Sequence, residues 1–347
     1  MSGATEPIAK LASAQLAETI RAADWSHGRA MVIGYGPMGK LHVDALRALG
    51  VLRIRVCSRP GPSMDALRDA PDIEPVAEDV DALSMTAEPD ELAILALPIA
   101  LLARATERMI ERGFRRIIVE KPAALRADAI ERLAERCDRA GVEAWCGYNR
   151  TAYPAVIELA ARAADEGGIT SCAYDFTEMV KPDWPRRFDA ETLARWAIAN
   201  SLHPISLAHA LIGQPAQWHA HRRGWIEWHP TGSVFVGSGL SEQGIPFSYH
   251  ANWGSKGRWL VECHTPQSAY RLCPIERLWR KTAATGEWEE VSVATVAPSV
   301  KAGLLEQAAA ALMPELRACV RLVSLHEAAA LTRYVEDICG YAAAESR

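Results

Sequence analysis

From Ala30 onward, short apolar runs alternate with stretches that are apolar on one helical face. The runs are AMVIG, LRIRVCS, ELAILALP, RRIIVEKP and EAWCGYN, and the helical period of apolar positions falls on Met38 to Leu49, Leu101 to Arg112 and Ala127 to Ala140. The runs do not alternate strictly, as expected of strands covered by helices on both faces. Strand–helix alternation of this kind predicts a parallel, doubly wound sheet. Ahead of it, Ile8, Leu11, Ala12, Leu16, Ile20 and Ala23 predict an amphipathic helix over residues 6–24.

The pattern changes after Asn149. Segments such as TSCAYDFTEM, QWHAHRRGWIEW, GSVFVGSGL, PFSYHANW, GRWLVECH, SAYRLCP and EWEEVSV alternate like half-exposed strands, which predicts a mostly antiparallel sheet. Two helical stretches, Val300 to Val320 and Leu325 to Ile338, close the chain. The expected fold is α/β: an N-terminal extension (1–28), a Rossmann dinucleotide-binding domain (29–148), and an α+β domain with a large, open-faced antiparallel sheet (149–347).

Composition narrows the class of function. A formal charge of −5 and a pI near 6.1 lack the basic excess of a nucleic-acid binder. The eight cysteines are scattered without a C-x-x-C pair, which fits buried thiols in a reducing compartment better than a disulfide framework or a zinc site. The N-terminus has neither the basic start nor the apolar run of a signal peptide, and no apolar stretch approaches the ~20 residues of a membrane helix. These readings point to a soluble, cytoplasmic protein with a small-molecule partner, no nucleic acid, no membrane and no metal.

MVIGYGPMGKLHVDAL places Gly34, Gly36 and Gly39 in G-x-G-x-x-G spacing between a predicted strand and a helix, the context that the phosphate-binding motif requires. Gly34 serves the tight turn, Gly36 the approach of a pyrophosphate, and Gly39 helix–strand packing. Pro37 and Met38 open the helix, whose free N–H groups would face the anion. The next strand ends in Ser58 and Arg59 with no carboxylate for a ribose 2′-hydroxyl. A guanidinium beside a hydroxyl suits a 2′-phosphate, so the expected cofactor is NADP, with NAD as the alternative.

RRIIVEKPAAL sets Glu120, Lys121 and Pro122 at the C-terminal end of a buried strand, where doubly wound folds bind ligands. A lysine there can donate to a hydroxyl or carbonyl oxygen, or carry a proton when its pKa is lowered. With this motif, the glycine loop, GYNR at 147–150 and a histidine-bearing segment near 200, the chain resembles the Gfo/Idh/MocA oxidoreductases over most of residues 30–345. The resemblance implies hydride transfer between a nicotinamide and a carbinol carbon of a sugar, sugar derivative or cyclitol. It implies that Lys121 contacts the reacting oxygen, that Tyr148 and Asn149 lie near nicotinamide and substrate, and that copies associate through the open sheet.

Two departures from the family matter. The loop after the ELAILALP strand offers Leu97 and Pro98, so its cofactor contacts would be backbone and apolar. The family's Asp-x-x-x-His segment reads with Ala199 in place of the carboxylate, leaving Asn200 as the nearest polar residue. In WAIANSLHPIS, proline is tolerated only in a first helical turn, so Asn200 or Ser201 is expected to cap a helix carrying His203 and Pro204 and ending at Gly213. His203 is then the candidate acid/base beside Lys121, with Asn200 orienting substrate. His209, about 600° further round the helix, reads as core.

Lys181 and Arg186, in VKPDWPRRFD, form a candidate anion-binding loop, although a plain surface loop reads equally well. His219, His221 and His229 read as a solvated strand face. The expected activity is NADP-dependent reduction or oxidation of a sugar derivative, activated or acidic sugars included. The alternatives are an NAD-dependent free-sugar or inositol dehydrogenase, and a cofactor sensor without turnover.

Overall fold

The computed structural model describes residues 11–341. The first sheet is built from β1 (Arg29–Ile33), β2 (Arg53–Cys57), β3 (Ile73–Val76), β4 (Leu92–Leu95), β5 (Arg116–Glu120) and β6 (Glu143–Gly147). These six strands are parallel in the order β3-β2-β1-β4-β5-β6. The direction of winding therefore reverses between β1 and β4, and the crevice beyond their C-terminal ends is the ligand position of such sheets. β1 and β4 are buried along nearly their whole length, which explains why the sequence showed apolar runs rather than alternation.

The second sheet comprises β7 (Ser171–Asp175), β8 (Pro215–Arg223), β9 (Val234–Ser241), β10 (Pro246–Asn252), β11 (Leu260–His264), β12 (Ser268–Leu272), β13 (Leu278–Thr282) and β14 (Glu289–Glu290). Its order is β14-β13-β12-β11-β7-β10-β9-β8, antiparallel except for the β7–β10 pair. On β10, Phe247, Tyr249 and Ala251 are buried while Ser248 and His250 are exposed. One face thus packs against the helices Leu202–Ile212 and Leu325–Cys339, and the other is open. β15 (Val323–Ser324) returns to the first sheet and pairs antiparallel with β6, tying the end of the chain to the Rossmann layer.

Several elements differ from the sequence reading. The N-terminal helix spans only Ser13–Ala22; Ile8 lies outside the described residues. Both the amide and the hydroxyl of Ser13 donate to Glu158 Oε2, at 2.9 and 2.8 Å, so this helix docks on Pro154–Asp165. The segment QWHAHRRGWIEW leaves the sheet at Arg223, because Gly224 turns with φ +77. EWEEVSV contributes only Glu289–Glu290. The stretch predicted as one helix from Val300 to Val320 is a helix Leu304–Leu312 and a separate 3-10 turn Pro314–Ala318, because Pro314 cannot continue the first.

Candidate active site

The glycine loop shows the geometry of a cradle. Gly34 has φ +93, and a Cβ there would lie 2.4 Å from the Ala96 carbonyl oxygen and 2.9 Å from Leu97 Cδ2. A Cβ on Gly39 would meet the Gly34 carbonyl at 1.9 Å, so only glycine lets the helix Pro37–Leu49 start this close to β1. A Cβ on Gly36 would meet nothing within 4 Å, which leaves room beside the loop. The loop fits a dinucleotide's phosphates on this evidence, with helix N–H groups for the anion. Pro98 begins the neighbouring helix Ile99–Glu111 as its exposed N-cap. Ser58 is half-buried and Arg59 exposed beyond β2.

Glu120, expected to face the cofactor, is instead a brace. It is 7% exposed, and its Oε1 is 2.8 Å from His42 Nε2 on the glycine-loop helix. This pair locks the end of β5 to the helix that starts at the phosphate loop. Lys121 then leaves the strand through a cis bond to Pro122. Its Nζ donates to the Ala199 carbonyl at 2.9 Å. Burial pushes its amine down to about 8, although the Glu120 carboxylate acts in the opposite direction.

The turn that receives Lys121 is not the capped start expected from sequence. Ala197–Ser201 forms a π turn that runs directly into the helix Leu202–Ile212, and Ser201 has helical dihedrals (φ −70, ψ −9) with no side-chain cap. Pro204 has no N–H to offer the carbonyls of this turn, and Lys121 takes up that of Ala199. The side chains expected to cap the helix are drawn elsewhere. Asn200 Nδ2 and Ser201 Oγ both donate to Glu178 Oε1, at 2.9 and 2.6 Å. Glu178, three residues beyond β7, is 5% exposed. Burial raises its carboxyl above the usual range, while the two hydrogen bonds and the charge of Lys121 act the other way.

His203 is 4% exposed, with Nδ1 buried and lacking a hydrogen-bond partner among the described residues. Its ring packs between Tyr148 (centroids 6.4 Å apart, edge-on) and Trp259 (5.7 Å). Burial, and then the charges of Lys121, Arg150 and Lys301, push the imidazole well below its ordinary value. Arg150 lies over the Trp259 ring at 5.2 Å, and Lys301 Nζ is 3.5 Å from Met38 Sδ of the glycine loop. The structure therefore unites Lys121, Asn200 and His203 as expected. It adds Glu178 and Lys301, whose isolated positions in the sequence carry no spacing signal, and Arg150, the last residue of GYNR.

Other expected contacts are placed differently. Tyr148 is wholly buried, its ring edge-on to His203 and its hydroxyl without a hydrogen-bond partner among the described residues. Asn149 is 3% exposed, and its amide donates to the Ala302 carbonyl at 3.0 Å. It fastens the turn that carries Lys301. Lys181 and Arg186 are exposed, and no hydrogen bond or ion pair joins them to this cluster among the described residues. Their loop is anchored by Trp184, whose ring centroid lies 4.3 Å from that of Trp196 with the planes tilted by 33°.

His209 and His229 are core residues. Nδ1 of His209 is 2.9 Å from the Gly213 carbonyl, and Nδ1 of His229 is 2.8 Å from that of Gly232. His229, read as part of a strand face, lies in a loop and is fully buried; His219 and His221 are exposed on β8. All eight cysteines are free.

Comparison with known proteins agrees with this architecture. A family model described as an oxidoreductase family with an NAD-binding Rossmann fold matches residues 29–148. No curated protein matches the chain in sequence. Solved structures with a similar fold include UDP-N-acetylglucosamine 3-dehydrogenase from Acidithiobacillus ferrooxidans, with 16% identity and a TM-score of 0.66 over 90% of this chain and 97% of that one. Levoglucosan dehydrogenase with NADH and levoglucosan is similar at 17% identity and a TM-score of 0.68, covering 92% and 98%. An oxidoreductase from Agrobacterium radiobacter, bound to NAD+, L-tartaric acid and magnesium, is similar at 15% and 0.70, covering 92% and 97%. At such identities the likeness is one of fold, and it extends through both sheets.

Proposed function

We propose that the chain is an oxidoreductase of the Gfo/Idh/MocA type, a reading supported by the match of residues 29–148 to that family's NAD-binding Rossmann fold. The reaction is hydride transfer between NADP(H) and the carbinol or carbonyl carbon of a sugar or sugar derivative. The observation that carries this reading is Lys121, held at the end of β5 with its Nζ 2.9 Å from the Ala199 carbonyl, one turn before His203. Residues 29–148 act as the cofactor domain and 149–347 as the substrate domain. Gly34, Gly36, Pro37, Met38 and Gly39 would hold the pyrophosphate, with Leu97, Pro98 and Pro122 lining the crevice. Ser58 and Arg59 favour the 2′-phosphate of NADP over NAD. The named activities of the levoglucosan and UDP-N-acetylglucosamine dehydrogenases support a sugar as substrate class.

The bound nicotinamide supplies or accepts the hydride. His203 and Lys121 stand on the reacting oxygen and divide the proton work. The imidazole, kept neutral first by burial, offers its ring N–H as a hydrogen bond to the reacting oxygen, leaving the hydroxyl proton to Lys121. Lys121, which titrates near pH 8, takes up the proton as the carbonyl forms and returns it in reduction. Copies of the chain associate through the open face of the second sheet, where Val236 and Leu240 are exposed.

The test is a turnover screen of a sugar, sugar-acid and sugar-nucleotide panel with NADPH and NADH, followed by single-turnover kinetics. Lys121→Ala is expected to slow hydride transfer by about 10²–10⁴-fold, the usual range for removing an acid/base group. Unchanged single-turnover rates in His203→Ala would remove His203 from the mechanism. NADPH binding without hydride transfer across the whole panel would make the protein a cofactor sensor instead.

A further inference from the structure

Ala199 stands where the family resemblance expects a carboxylate, yet the structure brings a carboxylate to the same turn from another element. Glu178 reaches across from the end of β7, and Asn200 and Ser201, the two residues after Ala199, both donate to its Oε1. Among the described residues no hydrogen bond engages Oε2. The Trp196 side chain also acts on this carboxyl in the same direction as those two donors, and a carboxylate this deeply buried needs compensation by charge beyond such neutral donors. The charge acting on it is that of Lys121, whose Nζ is fixed on the Ala199 carbonyl within the same turn.

We propose that Glu178 is the positioning carboxylate of the reaction centre, taking the place of the residue missing at 199. Asn200 and Ser201 clamp its Oε1, and its negative charge acts through Lys121. This rests on the hydride-transfer reading above. In oxidation, the carbinol C–H leaves as hydride to the nicotinamide, the carbonyl forms, and the hydroxyl proton moves to the neutral Lys121 amine. The ammonium so formed is opposed by the Glu178 charge. Without that charge, the groups left facing Lys121 are Glu120 on its own strand, Cys146 of β6, Arg150 and His203. Glu120 favours the Lys121 cation more than Glu178 does but is also bonded to His42, and Arg150 disfavours a second cation. The clamp also gives Asn200 a role other than touching substrate: its amide is spent on Glu178.

The experiment compares wild type, Glu178→Gln, and the double variant Glu178→Gln/Ala199→Asp. Glutamine keeps an oxygen to accept from Asn200 and Ser201 while removing the charge, and matching unfolding midpoints check that the fold is intact. Two readouts are taken on the full chain. One is the pH midpoint of Lys121 by NMR of 13C-labelled lysine, assigned by Lys121→Arg among the seven lysines. The other is the pH profile of hydride transfer. Glu178→Gln is expected to lower the Lys121 midpoint by about one pH unit, as loss of a nearby opposite charge does, and to move the alkaline-rising limb of oxidation equally. Ala199→Asp is expected to restore both. An unmoved Lys121 midpoint in Glu178→Gln overturns the proposal. The NMR readout needs no substrate, so absence of turnover in wild type would count against the hydride-transfer reading alone.

Discussion

Arg59 follows β2 by two positions, exposed and without an ion-pair partner among the described residues. A guanidinium left free at that site is available to a 2′-phosphate, and a hydrogen bond between charged groups contributes about 1.5–3 kcal/mol. Arg59→Ala is therefore expected to raise the KM for NADPH by about 10–100-fold while leaving that for NADH nearly unchanged. Equal shifts for both cofactors, measured by steady-state kinetics, would refute the assignment. Residues of this kind are legible because their meaning depends on local context: a glycine spacing, the end of one strand, a proline after a lysine. Lys121 and the glycine loop were read this way. Glu178 and Lys301 were not, because each stands alone in its segment and gains its meaning from neighbours tens to hundreds of positions away; Arg150 ends the GYNR motif, which says nothing of its place over the Trp259 ring. Glu120 and Asn149 illustrate the converse, since motif membership said nothing about whether His42 or the Ala302 carbonyl would occupy their polar atoms.

The second strand shows what an element can hide. Its sequence LRIRVCS carries Arg55 in the middle, yet Arg55 is 5% exposed and Glu91, just before β4, is 3% exposed. Arg55 Nε donates to Glu91 Oε1 at 2.7 Å, and Nη2 donates to the Thr86 carbonyl at 3.0 Å, so the pair staples the loop that enters β4. Removing one partner leaves a buried, unpaired charge. Glu91→Ala should destabilise the fold by about 3–5 kcal/mol in urea unfolding, whereas Arg55→Met with Glu91→Leu should cost far less. A loss below about 1 kcal/mol in Glu91→Ala would contradict this account. Periodicity revealed the long buried strands, but β3, β13 and β15 escaped it. β3 is four residues with Pro75 inside, tolerable only because it is an edge strand. β15 is two residues whose pairing with β6 is set by the whole fold. The π turn at Ala197–Ser201 was equally invisible: sequence indicated that Pro204 needs a special turn, and packing chose a wide turn over a capped one.

At the scale of the whole molecule, the second sheet and its helices enclose histidines that must stay neutral. The Gly213 carbonyl can only accept, so Nδ1–H of His209 donates to it; the same holds for His229 and Gly232. Nε2 of His229 then accepts from the Tyr341 hydroxyl at 2.7 Å, and that hydroxyl in turn accepts from the Ala197 amide at 3.1 Å. This chain links the β8–β9 loop to the π turn. Burial pushes both imidazoles down to about 4 from an ordinary 6.5. Between those values the unfolded chain binds more protons than the folded one, so stability falls as pH drops from about 6.5 towards 4 and is fully present above 6.5. Each histidine accounts for about 3 kcal/mol over that window, at about 1.4 kcal/mol per pH unit for one proton. Glu178 and Glu306, raised by burial, pull the other way, and Glu158 and Glu166, lowered in the fold, act only below the ordinary carboxylate range. The total slope therefore mixes several groups, but the change in slope on removing one histidine does not. In urea unfolding from pH 4.5 to 6.5, His209→Gln and His229→Gln should each flatten the slope by about 1 kcal/mol per pH unit or slightly more. Slopes equal to wild type in both variants would mean that these rings are protonated in the folded protein, against the effect of their burial.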